Sequence, residues 1–248
     1  YLDGIDLTPE EFFEQLESAE KLPTTSQPTP EAFLKEFEAA RDAGDEMVCV
    51  LLSSALSGTY QSAAIAREEA DYDGIYLVDS KNVTLAAQLL VRRAVDLARS
   101  GMSAAEIAED LEKARERVHL FALVDTLKYL HKGGRLSGAA AIAGGLLGIK
   151  PVISINEEGK LALTDKARGL PGAYVAIFKQ IGKVGGIDER YPVMLGYTGR
   201  RAAVEPFIRY ITQNLHLNKP VLRIIGSVVG THAGPGACGI AFFSKEEE

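Results

Sequence analysis

The segment MVCVLLSSALSGTYQSAAIA, residues 47–66, indicates the fold class of this chain. It begins with a continuous apolar run and continues through a glycine-containing turn into a pattern of helical spacing. A strand that is apolar throughout, followed by a turn and a helix, is typical of a parallel sheet covered by helices on both faces. We therefore expect an α/β protein.

The same alternation recurs along the N-terminal half of the chain. GIYLVD (74–79) and HLFALVD (119–125) are further apolar runs, and the apolar residues of TLAAQLLVRRAVDLARS (84–100) recur at helical spacing. Ser103 and Glu106 have the spacing of a capping box at the start of another helix. We expect residues 119–125 to form a third strand of the N-terminal parallel sheet.

The composition of the chain changes after residue 125. The segment that follows is rich in glycine and small residues, and PVISINEEGKLALTDKA (151–167) is typical of a hairpin with its turn at Glu158-Gly159. We expect two α/β domains, with residues 1–125 forming a parallel-sheet, three-layer sandwich and residues 126–248 forming a second α/β domain.

Composition and charge exclude several classes of function. The 248 residues carry a net charge of -7, which disfavours a surface that tracks nucleic-acid phosphates. No apolar run reaches the length of a membrane span, so we expect a cytoplasmic protein without stable membrane insertion, and transient membrane contact stays open. The four histidines are scattered and neither CxxC nor HExxH occurs, so no metal site is expected. The chain begins at Tyr1, which we interpret as a shortened form of a longer protein.

The turn in the opening segment is the first candidate site. Ser57, Gly58 and Thr59 lie where the first strand ends and a helix begins, a position at which backbone N–H groups attract anions. Three interpretations stay open: the turn binds an anion, it supplies a serine nucleophile, or Ser57 only caps the helix.

Two further segments have the character of binding loops. LPTTSQPTP (22–30) is a rigid connection between prolines that presents the side chains of residues 24–27. VVGTHAGPGACG (228–239) predicts a glycine-rich loop with Thr231 and His232 at its apex. Either segment is also compatible with a purely structural role.

A serine hydrolase that uses Ser57 and His232 is an alternative from a different functional class. The nucleophile elbow G-x-S-x-G is absent around Ser57. Asp79 and Asp125 end strands and are the candidates for an orienting acid. The phosphate-binding motifs G-x-x-x-x-G-K-[ST] and G-x-G-x-x-G do not occur either.

Six segments, taken together and in order, resemble the DegV family nearly from end to end. They are YLDGIDLTPEEFF (1–13), LPTTSQPTPEAF (22–33), SSALSGTYQSA (53–63), VDSKN (78–82), VDTLKYLHKGGRLSG (124–138) and THAGPGACGIAF (231–242). The resemblance implies a bacterial protein of two α/β domains that buries a long-chain fatty acid between them. Members of known role present the fatty acid to a separate kinase, which phosphorylates its carboxylate for phospholipid synthesis. Family members begin with a strand and an Asp-Ser loop that are absent from this chain.

The resemblance also implies which residues bind the ligand. Thr25 of T-S-Q-P and Ser57 of S-G-T correspond to hydroxyls that bond the carboxylate, and His232 of T-H-x-G-P-G faces the same head group. The neighbouring residues expected at the lipid site are Ser26, Gly58 and Thr59.

The resemblance implies a carrier that is not itself an enzyme and has no cofactor besides its bound fatty acid. Arg135 and Arg168 are candidates for contact with the fatty acid kinase. The small-residue run GAAAIAGGLLG (138–148) is compatible with an apolar wall near the acyl tail or with plain helix packing. The competing functions are the serine-dependent esterase or acyltransferase and a sensor that acts through a protein contact.

Overall fold

The computed structural model describes residues 5–136 and 148–246. Its helices are α1 (Pro9–Ser18), α2 (Pro30–Ala43), α3 (Thr59–Ala70), α4 (Thr84–Arg99), α5 (Ala104–Ala114), α6 (Lys128–Lys132), α7 (Gly169–Lys183), α8 (Arg201–Asn214) and α9 (Ser227–Ala233), with a 3-10 turn at Arg115–Arg117. Its strands are β1 (Met47–Leu51), β2 (Ile75–Asp79), β3 (Val118–Leu123), β4 (Ile149–Ile155), β5 (Leu161–Arg168), β6 (Met194–Tyr197), β7 (Val221–Ile224) and β8 (Cys238–Phe243). The mixture of helices and strands confirms the α/β class.

The chain divides into two compact units. The smaller unit comprises Ser26–Val118 and Asn156–Lys160, and the larger unit comprises Tyr1–Thr25, His119–Ile155 and Leu161–Glu248. The sequence interpretation placed the boundary at residue 125 and the first 25 residues in the N-terminal domain. The first 25 residues belong to the larger unit because α1 packs on α9. No local sequence pattern associates these two helices.

The smaller unit is built on β1 and β2, which pair in parallel with Met47 opposite Ile75. Leu51, Ile75 and Leu77 face α2 and α3 and form one apolar cluster with them. Val78 is fully buried on the opposite face, since neighbouring residues of a strand point to opposite sides. Helices α4 and α5 also contact these strands, which gives three layers. The predicted capping box is present, since Ser103 Oγ accepts from the backbone N–H of Glu106 at the start of α5.

The larger unit contains a six-stranded sheet in the order β5-β4-β3-β8-β6-β7. Strands β6 and β7 are parallel, whereas β4 is antiparallel to both β3 and β5, and β8 is antiparallel to β6. The predicted hairpin is confirmed by the β4–β5 pair, whose turn closes with Gly159 N–H donating to the Asn156 carbonyl.

The prediction that residues 119–125 extend the N-terminal parallel sheet is wrong. Strand β3 lies in the six-stranded sheet and is antiparallel to β4. Its run is apolar throughout because Phe121 and Leu123 pack into one apolar cluster, while Ala122 and Val124 belong to another. An apolar run reports burial on both faces but carries no information about its pairing partner.

Most of the small-residue run 138–148 lies outside the described residues. Across residues 5–136 and 148–246, none of the helices has both the length and the apolar character to cross a membrane. The same residues contain no group of three or more His, Cys, Asp or Glu side chains that could hold a metal ion.

Candidate functional site

The structure brings together two predicted site residues that are far apart in sequence. Thr25 lies between α1 and α2 in a segment without regular secondary structure, and His232 lies in the last turn of α9. A hydrogen bond of 2.8 Å joins Thr25 Oγ1 to His232 Nε2. Both residues belong to the larger unit and both are half-buried. The T-S-Q-P and T-H-x-G-P-G motifs therefore share one polar contact.

His232 lies in a helix and not at the apex of a glycine-rich loop, which corrects the prediction for residues 228–239. Gly226 is the N-cap of α9, and helical hydrogen bonds run from Gly230 N–H to the Gly226 carbonyl and from Gly234 N–H to the Gly230 carbonyl. The chain leaves the helix at Gly234, whose φ of 75° and ψ of 173° are accessible to glycine. Because glycine weakens a helix without forbidding it, the glycine content alone did not reveal α9.

The surroundings of His232 keep its imidazole neutral. Burial, and secondarily the positive charge of Arg135, lower the pKa of His232 below its usual value of 6.5. Its Nδ1 atom is buried and has no hydrogen-bond partner among the described residues. Gly133 lies against the ring, and a Cβ added there would lie 2.2 Å from Nδ1.

The loop that follows α9 is anchored by Thr198 at the end of β6. The Thr198 hydroxyl donates to the Gly234 carbonyl at 2.6 Å and accepts from the Ala237 N–H at 2.8 Å. Thr198 is 1% exposed, so both bonds are made away from solvent. This anchor fixes the point at which the chain leaves the helix that carries His232.

The S-G-T turn forms a second cluster, in the smaller unit. Gly58 is the N-cap of α3, and the Thr59 N–H donates to Ser57 Oγ at 3.3 Å. The hydroxyls of Ser57 and Thr59 are 2.9 Å apart and bond to each other. Ser57 thus supports the start of the helix and shares a hydroxyl pair with Thr59.

Gln27 of the T-S-Q-P motif packs against this turn, and sequence reasoning did not include it among the site residues. Its Nε2 donates to Ser62 Oγ at 3.0 Å. Its Oε1 lies 2.0 Å from where a Cβ on Gly58 would be. The side chain therefore occupies the space that the glycine leaves open. Its place in the T-S-Q-P motif is the one sequence signal for a role of Gln27, because close packing against a glycine elsewhere in the chain leaves no local pattern.

Ser53 and Asn82 are further residues that the sequence reasoning missed. Ser53 is 1% exposed and donates through Oγ to the Gly159 carbonyl at 2.8 Å. Its backbone N–H donates to the Asn82 carbonyl at 2.8 Å, which ties the loop after β1 to the loop after β2. These bonds hold the segment that leads into Ser57.

The geometry does not support the serine hydrolase alternative. Asp79 accepts hydrogen bonds from Ser54 Oγ at 2.6 Å and from the Lys81 N–H at 2.9 Å. Asp125 pairs with Lys150. Neither carboxylate orients His232, whose Nδ1 lacks a partner within the described part of the chain, and the Ser57 hydroxyl bonds Thr59.

The other predicted residues lie at the surface or bond locally. Ser26 is exposed. Arg135 Nη1 donates to the Gly133 carbonyl at 2.8 Å. Arg168 is exposed at the end of β5, directly before α7. Of the predicted set, the structure thus joins Thr25 with His232, and Ser57 with Thr59 beside Gly58.

Comparisons with known proteins identify the family of this chain. The model of a family described as an uncharacterised protein of the DegV family matches residues 1–245. The DegV domain-containing protein TTE1491 of Caldanaerobacter subterraneus is 35% identical over 245 residues, which cover 99% of this chain and 87% of that protein.

Two solved structures share the fold over nearly the whole chain. A DegV family protein from Thermus thermophilus, described by its fatty acid binding, has a TM-score of 0.88 and 31% identity and covers 99% of this chain and 87% of its own. The fatty acid binding DegV family protein SAG1342 from Streptococcus agalactiae has a TM-score of 0.89 and 27% identity, with the same two coverages. The chain therefore belongs to the DegV family.

Proposed function

We propose that this protein binds a long-chain fatty acid, holds its carboxylate with the hydroxyls of Thr25 and Ser57, and presents it to a partner fatty acid kinase. The observation that carries the proposal is the hydrogen bond between Thr25 Oγ1 and His232 Nε2. It joins two family motifs in one cluster of neutral donors. The two similar proteins whose names state fatty acid binding support the same ligand.

Neutral donors suit a ligand that must be released. Ser57 and Thr59 supply hydroxyls, and the lowered pKa of His232 keeps its imidazole uncharged near neutral pH, because burial and Arg135 oppose protonation. Hydroxyl groups satisfy a carboxylate by hydrogen bonds, and a neutral imidazole beside them adds no charge that would form a buried ion pair.

The acyl chain supplies the larger part of the binding free energy. Burial of about 14 methylenes at ~0.8 kcal/mol each contributes roughly 11 kcal/mol before any cost is subtracted. Loss of translational and rotational freedom costs at least ~4 kcal/mol. The difference allows tight but reversible binding, as a carrier requires.

In this proposal the protein is a cytoplasmic carrier without catalytic activity or a further cofactor, and the kinase supplies the chemistry. Arg168 is the better candidate for contact with the kinase because it is exposed at the end of β5. Arg135 already donates to the Gly133 carbonyl. A charged surface residue of this kind affects partner selection and association rate more than affinity.

The first experiment is mass spectrometry of an organic extract from the denatured protein. A free fatty acid in stoichiometric amount is the expected result, and its mass also defines the chain length and unsaturation. An extract that stays empty after incubation with a fatty acid mixture would contradict the proposal. An acyl group attached to Ser57, detected as added mass on the extracted protein itself, would favour the esterase or acyltransferase instead.

The second experiment tests the head-group assignment with palmitic acid titrated into the delipidated protein. Thr25→Ala and Ser57→Ala are each expected to weaken binding by about 1–3 kcal/mol, because each leaves part of a desolvated carboxylate unsatisfied. Thr24→Ala is the matched control, since Thr24 is exposed in the same segment. Unchanged affinity in both variants would refute the assignment of these hydroxyls.

A further inference from the structure

Two adjacent glycines, Gly133 and Gly134, follow α6, and they have different reasons to be glycine. Gly134 has a φ of 71°, a left-handed conformation that favours glycine. Gly133 has a φ of -78° and a ψ of -4°, which any residue can adopt. The backbone therefore does not explain the glycine at position 133.

The ring of His232 explains it. A Cβ on Gly133 would lie 2.2 Å from Nδ1 and 2.9 Å from Cε1 of His232, and 3.1 Å from the Tyr129 carbonyl oxygen. The two separations from the His232 ring are far below van der Waals contact, whereas the separation from the Tyr129 oxygen is only tight. The ring has little freedom to retreat, because its Nε2 is bonded to Thr25 on the other side.

The same packing selects the tautomer of the imidazole. Nδ1 is buried and has no partner among the described residues. A buried N–H without an acceptor is rarer in folded proteins than an acceptor that is left unsatisfied. The neutral ring is therefore expected to carry its proton on Nε2, which then donates to Thr25 Oγ1. In that arrangement the hydroxyl proton of Thr25 is free to donate to another acceptor.

We propose that Gly133 is a positioning residue for the head-group site: it leaves room for the His232 ring, whose Nε2–H donates to Thr25 Oγ1 and so directs the Thr25 hydroxyl proton to the ligand carboxylate. This inference rests on the proposed function for the identity of the ligand. His232 then acts through Thr25, and the carboxylate receives its hydrogen bond from the hydroxyl.

Nitrogen-15 NMR of the full, ligand-free chain tests the tautomer without any ligand. Two-bond correlations from the ring protons distinguish a protonated from a bare ring nitrogen, and the His232→Gln variant assigns the signals by their loss. The expected result is a protonated Nε2 and a bare Nδ1. The opposite tautomer, or a ring that is doubly protonated at neutral pH, would overturn the inference.

Gly133→Ala tests the positioning role. The added methyl group is expected to displace the ring, shift the His232 nitrogen signals and weaken palmitic acid binding about tenfold, the consequence of one lost hydrogen bond to a desolvated carboxylate. Gly182→Ala is the matched control in the same unit, because a Cβ there meets nothing within 4 Å. Its His232 signals and its affinity are expected to match those of the original chain.

The outcomes separate this inference from the proposed function. If the original chain binds palmitic acid and folded Gly133→Ala binds it equally well, the positioning role is wrong and the proposed function stands. If the original chain binds no fatty acid, the proposed function fails and the ligand part of the inference fails with it. If Gly133→Ala does not fold, the tautomer measured in the original chain still decides the hydrogen-bond direction.

Discussion

Gly58 in the S-G-T turn and Gly133 after α6 each accommodate a side chain from elsewhere in the chain, but in different surroundings. Both have an ordinary φ, -72° and -78°, so neither is required by backbone conformation. At each, a motif side chain occupies the place of the missing Cβ: Gln27 Oε1 at 2.0 Å from Gly58 and His232 Nδ1 at 2.2 Å from Gly133. In both regions the glycine marks a close approach between distant segments.

The two regions differ in how far the side chain next to the glycine could move if a Cβ were added. Gln27 is exposed, and the atom that faces Gly58 is at the end of a flexible side chain, although its Nε2 donates to Ser62 Oγ. His232 is a rigid ring with a buried Nδ1 and with its Nε2 bonded to Thr25. The same geometric clash should therefore be relieved easily at Gly58 and poorly at Gly133.

The largest effect is expected for Gly133→Ala. The variant should lower the free energy of unfolding by about 3 kcal/mol, because overpacking against a rigid, hydrogen-bonded ring cannot be relieved by rotamer change. Urea unfolding measures it. Adding His232→Ala removes the ring, so the double variant should be less destabilised than the sum of the single variants. Simple additivity would show that the ring is not what Gly133 accommodates.

Thr198→Val comes next and tests the anchor on the His232 side. The substitution removes the hydroxyl that bonds the Gly234 carbonyl and the Ala237 N–H, and Ala237 is itself buried. We expect a loss of about 2 kcal/mol in the free energy of unfolding, since both backbone groups are left unsatisfied away from water. Thr24→Val at an exposed position is the control. Equal stability of the two variants would mean that solvent reaches the loop.

Ser53→Ala tests the corresponding anchor on the S-G-T side. Ser53 Oγ donates to the Gly159 carbonyl and accepts from the Ala55 N–H at 3.2 Å. Because Ala55 is exposed, water can replace one of the two bonds. The expected loss is about 1 kcal/mol by denaturant titration, with exposed Ser26→Ala as the control. A loss larger than that of Thr198→Val would reverse the proposed ranking of the two anchors.

Gly58→Ala should give the smallest effect, below about 1 kcal/mol. The Gln27 side chain can move away, and alanine at a helix N-terminus is compatible with the observed φ. Combining it with Gln27→Ala should change stability little beyond the sum of the two single changes. A coupling energy as large as that between Gly133 and His232 would show that Gln27 is held as firmly as the ring, and would remove the contrast between the regions.

Local patterns predicted most elements of the fold because they depend on neighbouring residues. The capping box of Ser103 and Glu106, the β4–β5 hairpin and the strands β1 and β2 all follow from short-range periodicity and turn chemistry. The ordered motifs also indicated the family and named Thr25, Ser57 and His232. Whether those three residues bind a carboxylate stays a prediction that the palmitic acid experiments address.

The pairing of β3, the helix α9 and the roles of Gly133 and Gln27 could not be predicted in the same way. The apolar run of β3 records that both of its faces are covered, and it leaves its partner strand undefined. Helix α9 contains a glycine at position 230 because Phe13 of α1 occupies the space, with its Cζ 2.4 Å from where a Cβ would be. That contact joins residues more than 200 positions apart.

The sequence by itself determined the α/β class, the family and the chemical types at the candidate site, since these depend on composition, periodicity and motif order. Tertiary structure alone decided which residues meet: Thr25 with His232, His232 with Gly133, and Gln27 with Gly58. The physical reason is that a glycine in a sequence can be required either by a left-handed backbone conformation or by a neighbour that leaves no room for a Cβ, and the sequence does not distinguish the two. Gly133 leaves room for a neighbouring ring and Gly134 adopts a left-handed conformation, and only the folded structure distinguishes these two adjacent glycines.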